Sequence, residues 1–127
     1  MRVAMGDRLW AVRGAAQAGA NDEASILDAT RELVSELMDR NELRPESFVS
    51  VIFTCTDDLD AQFPAVAARE LGFGQVPLLC NREMQVPGAM ERVIRLLAHY
   101  HASAEHSPQH VYLGETKKLR ADLHSAQ

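Results

Sequence analysis

Hydrophobic and polar positions follow two periods along this chain, and the switches between them mark out its elements. Leu9 to Gly14 alternates, with Leu9, Ala11 and Arg13 on one side and Trp10 and Val12 on the other, and reads as a strand. A small-residue loop, 16–19, follows. Ile26, Leu27, Thr30, Leu33, Val34, Leu37 and Met38 then recur at helical spacing. Glu23, Arg31, Glu32, Glu36 and Asp39 lie largely off that stripe. Asn21 or Asp22 is placed to cap this helix, Asn41 ends it, and Arg44-Pro45-Glu46 turns the chain. Phe48 to Thr56 is rich in β-branched and aromatic residues and reads as a second strand.

Past that strand, Asp57, Asp58 and Asp60 read as turn and cap chemistry, since no glycine or further acidic set of a calcium loop accompanies them. Phe63 to Leu71 reads as a short helix with Pro64 near its first position and Gly72 and Gly74 after it. Val76 to Leu79 is a third strand, and Cys80 to Glu83 a polar loop. A helix is expected from Gly88 to Tyr100, with Ala89, Met90, Val93, Ile94, Leu97 and Ala98 on its apolar face. On that helix His99 and His101 would point to different sides, which argues against a metal pair. His110 to Leu113 is a fourth strand. The order β-α-β-α-β-α-β predicts an α/β layered fold, with helices on one face of a mixed sheet and a partner subunit on the other.

Composition narrows the class. The chain has 127 residues, enough for a single domain, with 46% hydrophobic residues and a net charge of -5. The acidic balance argues against nucleic acid as a partner. No apolar run reaches the length of a membrane span, and the first residues lack the apolar core of a signal peptide, so a cytoplasmic protein is expected. Two cysteines, Cys55 and Cys80, stand at no metal-type spacing and read as reduced thiols. Residues 1–8 read as an N-terminal extension and 115–127 as a mobile C-terminal tail.

Arg95 stands inside the run Val93-Ile94-Arg95-Leu96-Leu97, and an arginine in such company needs a partner, a ligand or water. Glu91, four residues earlier on the expected helix, offers a local ion pair; an anionic ligand is the other reading. Arg13, at a strand end, and Tyr112, in the fourth strand, also interrupt apolar patterns, and Cys80 and Glu83 stand in the loop after strand three. If these converge, they make a site of two guanidinium groups, a phenol, a thiol and a carboxylate. Such a site grips a small carboxylate by bidentate hydrogen bonds and is poorly equipped for hydrolysis or group transfer. No metal or cofactor is expected.

Several segments together resemble the trimeric α/β chorismate mutases of the AroH class over nearly the whole chain. They are Ala11-Val12-Arg13-Gly14-Ala15, Thr56 to Ala65 with Arg69-Glu70-Leu71, Val76 to Met84, Val93-Ile94-Arg95, and His110 to Leu113 with Leu119 to Leu123. Val66 and Leu79 depart from that pattern, in which a lysine and a smaller polar residue can occur. The resemblance implies a homotrimer forming a pseudo-α/β-barrel, with a cleft between neighbouring subunits. It implies that Arg13, Cys80, Glu83, Arg95 and Tyr112 line the cleft, with Leu78, Leu79, Asn81 and Arg82 beside them. Phe63, Ala65 and Arg69 would approach from the next subunit or the rim, and Leu119, Arg120 and the tail would cover the entrance. The implied reaction is the unimolecular rearrangement of chorismate to prephenate in phenylalanine and tyrosine biosynthesis, with Arg95, Glu83 and Arg13 as the catalytic set. Two other readings stay open at this point: a trimeric small-carboxylate sensor without catalysis, and an imine deaminase-like hydrolase with Glu83 as its base.

Overall fold

The protein was analysed as a computed structural model, which describes residues 6–119. Five strands form one mixed sheet: β1 (Asp7–Gln17), β2 (Phe48–Cys55), β3 (Leu78–Arg82), β4 (Val93–Ser103) and β5 (Val111–Tyr112). The spatial order is β3-β2-β4-β1-β5. The long strand β4 runs antiparallel to both β1 and β2, while β3 and β5 add parallel edges.

Two helices lie against one face. α1 (Glu23–Asn41) starts where Asp22 accepts the Ser25 N–H at 2.7 Å. That bond holds the Asp22 carboxyl below its ordinary value. The helix ends with Glu42 in the left-handed region. Its apolar stripe of Ile26, Leu33, Val34 and Leu37 packs onto Val12, Val51, Phe53, Ile94, Leu96 and Ala98 of the sheet. α2 (Ala65–Ala68) passes into a π-helical turn, Arg69–Phe73, that Gly72 interrupts at φ 103. Phe73 from this turn stacks on Phe48, 4.8 Å between ring centroids.

The segment expected to be the third helix is instead β4. Burial along it has period two: Ile94, Leu96, Ala98 and Tyr100 are buried, while Arg95, Leu97, His99 and His101 are half-buried. This strand is central, so even its second face carries an apolar Leu97, and the mixture of apolar residues on both sides imitates a helical stripe. Gly88 at φ 84 and Arg92 at φ 52 break any helix before it. Two consequences follow. Glu91 no longer lies one turn from Arg95; it pairs with Arg92 at 2.6 Å. His99 and His101 share a face instead of diverging.

Smaller differences concern boundaries. β1 runs on through Ala16 and Gln17, the start of the loop expected over 16–19, because Ala15 and Ala16 are buried in the sheet. β3 extends through Cys80, Asn81 and Arg82, which therefore belong to a strand and alternate between faces. At the C-terminal end, Gly114–Thr116 forms a 3₁₀ turn fastened to β1 by Thr116, whose Oγ1 donates to the carbonyls of Ala15 at 3.0 Å and Leu113 at 2.6 Å. Arg120 and the remainder of the expected tail lie outside the described residues, as does 1–5 of the N-terminal extension. Among the described residues, no helix is long and apolar enough to cross a membrane.

Candidate active site

The face of the sheet without helices carries a row of side chains set by strand register. Tyr112 on β5 is registered with Ala15 on β1, Ala15 with Arg95 on β4, Arg95 with Thr54 on β2, and Thr54 with Asn81 on β3. Arg13, two residues before Ala15, lies on the same face opposite Leu97. Three of the residues singled out from sequence, Arg13, Arg95 and Tyr112, therefore share one surface because of parity in three different strands. Tyr112 is buried in a small cluster with Ala15 and Val93, against which Met90 and Leu119 pack.

Glu83 reaches this row from the loop after β3. Its backbone N–H donates to the Cys55 carbonyl at 2.9 Å, which fixes the residue beside the end of β2. Its carboxylate accepts the Thr54 hydroxyl through Oε2. The same oxygen lies 3.6 Å from Arg95 Nε. That distance is attractive for opposite charges but too long for a hydrogen bond. Arg95 Nε is shielded from solvent yet has no hydrogen-bond partner. Thr54 was not singled out from the sequence; inside Phe48–Cys55 it reads as one more β-branched residue. Only the pairing of β2 with β4 reveals that it faces Arg95.

An open cleft of about 600 Å³ extends from Arg95 and Glu83, bounded by Thr56, Met84, Met90, Lys118 and Leu119. Met84 and Val86 on its loop are exposed. One end holds the Arg95 guanidinium beside the Glu83 carboxylate, and the walls mix apolar Met84, Met90 and Leu119 with polar Thr56 and Lys118, a lining that suits a small polar molecule with a carbon skeleton.

The other candidate residues fall elsewhere in the chain. Cys80 is registered with Phe53 and shares its helix-covered face. There it lines a separate cavity of about 330 Å³ with Cys55, Leu59, Phe63 and Pro64. The side chains of Cys80 and Glu83 are thus on opposite sides of the sheet within one chain. Phe63 is 66% exposed at the mouth of this cavity, whereas Ala65 is buried in the core and Arg69 is exposed on the π-helical turn. Leu78 packs on the core and Leu79 is 62% exposed on the open face. Asn81 is exposed beside Thr54. Arg82 is occupied structurally: its Nη1 donates to the Thr56 and Leu59 carbonyls at 3.1 and 2.9 Å, bracing the turn after β2. Asp58 of that turn accepts the Arg92 N–H at 2.9 Å and the Thr56 hydroxyl at 2.5 Å. The aspartate run is therefore turn chemistry, as its sequence suggests.

A mixed sheet with helices on one face, and an open guanidinium–carboxylate cleft on the other, define a layered α/β protein with a charged cleft of small-molecule size. The chain belongs to the chorismate mutase type I family, whose pattern it matches over residues 9–123. It is 44% identical over 118 residues to chorismate mutase AroH of Thermus thermophilus, covering 91% of this chain and 97% of that one. It is 36% identical over 114 residues to chorismate mutase AroH of Bacillus subtilis (strain 168), covering 88% and 90%. Among solved structures, a chorismate mutase from Clostridium thermocellum superposes with a TM-score of 0.81 at 38% identity, covering 86% of this chain and 98% of that one.

Proposed function

We propose that the chain is a chorismate mutase that rearranges chorismate to prephenate in the cytoplasm, acting as a single domain within a homotrimer. The observation that carries this reading is the Arg95 guanidinium, held beside Glu83 at one end of a cleft that Met84, Met90 and Leu119 help to line. The reaction is unimolecular: one ether C–O bond breaks as one C–C bond forms, with no proton transferred and no group passed to the protein. Its demands are a compact substrate conformer and positive charge where the ether oxygen becomes negative. Arg95 supplies that charge. A donor preset at a site of developing charge contributes on the order of 3 kcal/mol or more. Glu83 accepts the ring hydroxyl, and Arg13 with Tyr112 takes a substrate carboxylate, which fixes the reacting termini together.

Two features favour a subunit-bridging pocket. The candidate residues form two groups on opposite faces of one chain, Arg95 with Glu83 and Tyr112, and Cys80 with Phe63; a second copy brings one group against the other. The open face also exposes apolar Leu9 and Leu79, as a buried subunit contact requires. In that assembly Cys80 approaches the cleft from the neighbouring copy with Phe63 and Arg69, and Leu119 flanks the entrance. Incubating the purified protein with chorismate and following its loss and the appearance of prephenate tests the reading. Turnover well above the uncatalysed rate is expected; a rate equal to background overturns it.

A further inference from the structure

We propose that Thr54 is a positioning residue that keeps the Arg95 guanidinium open to an incoming anion by holding Glu83 away from it. The inference concerns the same cleft and, for its kinetic test, rests on the mutase reading.

A guanidinium and a carboxylate within reach of one another ordinarily close into a bidentate pair with two parallel N–H···O bonds. Arg95 and Glu83 do not. Glu83 Oε2 stops 3.6 Å from Arg95 Nε, and that Nε, shielded from water, makes no hydrogen bond. What restrains the carboxylate is visible on both of its ends. Its backbone is tied to the Cys55 carbonyl, and its Oε2 accepts the Thr54 hydroxyl. Thr54 stands directly opposite Arg95 in the β2–β4 register, so the competing donor rises from the sheet beside the guanidinium. As a β-branched residue in a strand, threonine has restricted χ1 freedom, so its hydroxyl direction is well defined. The hydroxyl thus draws Oε2 toward β2, and the same oxygen stays 3.6 Å from Arg95 Nε. The guanidinium is left polarised by a nearby negative charge, on a side chain that is still 40% exposed and is not closed into a fork with Glu83. Without that hydroxyl, the nearest donor for Oε2 is Arg95 itself. The pair then closes, and a substrate oxygen must break it before it can be bound.

The test compares full-length Thr54→Ser, which keeps the hydroxyl, with Thr54→Val, which replaces it by a methyl group of similar volume. Thr54→Ala serves if the valine variant does not fold. Two readouts are taken, with a thermal melt of each variant as control. The first is steady-state turnover of chorismate: Thr54→Val is expected to lose about tenfold or more in kcat/KM, in both kcat and KM, while Thr54→Ser stays within about threefold of the parent. The second needs no substrate: the ¹⁵N–¹H signal of Arg95 Nε, assigned by its disappearance in Arg95→Lys, is expected to exchange with water several-fold more slowly in Thr54→Val as the pair closes. Unchanged exchange overturns the proposal. So does a valine variant as active as the parent, or a serine variant as impaired as the valine one. If the parent protein does not turn over chorismate, the mutase reading fails, and the exchange measurement alone still decides the role of Thr54.

Discussion

Ala15 stands opposite Arg95 across β1 and β4 and is at the same time the registered neighbour of Tyr112 on β5. A fully buried methyl group therefore separates Tyr112 from Arg95. Its small size lets it fit the buried cluster with Val93 and Tyr112. Ala15→Val puts two extra methyl groups into this packed gap. The expected result is a loss of about 1–3 kcal/mol in unfolding free energy, together with a turnover defect larger than the stability change explains. Denaturant unfolding and chorismate kinetics on the same preparation check it.

Arg95→Ala is expected to reduce kcat/KM by about a hundred- to a thousandfold, as for removal of a preset donor at a developing oxyanion. Arg95→Lys is expected to recover little of it, because an ammonium lacks the planar fork. Glu91→Ala is the informative companion. Its exposed carboxylate pairs with half-buried Arg92, so turnover is expected to stay within about twofold of the parent. Comparable losses from the Glu91 and Arg95 variants contradict this geometry.

Thr116 is fully buried, and its hydroxyl fastens the 3₁₀ turn Gly114–Thr116 to the Ala15 carbonyl. The next residues, Lys118 and Leu119, bound the Arg95 cleft. Thr116→Val is expected to cost about 1 kcal/mol of stability and to raise KM more than it lowers kcat, since it loosens the wall and leaves Arg95 in place. A KM equal to that of the parent argues against this fastening.

Stability at alkaline pH carries a signature of the core. Burial pushes the Cys55 thiol up from 9.0 to about 11, and the Tyr100 phenol from 10.0 to about 12. The folded chain keeps these protons where the unfolded chain releases them. The resulting stability is fully present below pH 9 and declines from there, first through Cys55 and above pH 10 through Tyr100 as well. The melting temperature is expected to fall between pH 9 and 11, and Cys55→Ala to flatten the first part of the fall. A melting temperature constant over this range contradicts the assignment.

The strongly periodic elements were legible in the sequence. α1 has one apolar face and a capping aspartate, and Phe48–Cys55 has the composition of a strand. β4 was not legible, because a strand paired on both sides and apolar on both faces shows neither period cleanly. That single misreading produced the Glu91–Arg95 pairing. The site was partly legible for the same reason. Arg13, Arg95 and Tyr112 betray themselves as polar interruptions of apolar runs. Thr54 interrupts nothing, and its role depends on a register 41 residues away in the chain, between Thr54 and Arg95. The separation of Cys80 from Glu83 also depends on parity, since β3 reaches further than its apolar residues suggest.

β4 exchanges hydrogen bonds with neighbours along both of its edges, whereas β5 joins β1 through only two residues. Amide protons around Arg95 should therefore exchange with solvent only on near-global opening, and those of Val111 and Tyr112 through far cheaper local fluctuations. The guanidinium end of the cleft thus rests on a strand paired along both edges, and Tyr112 on a two-residue edge strand.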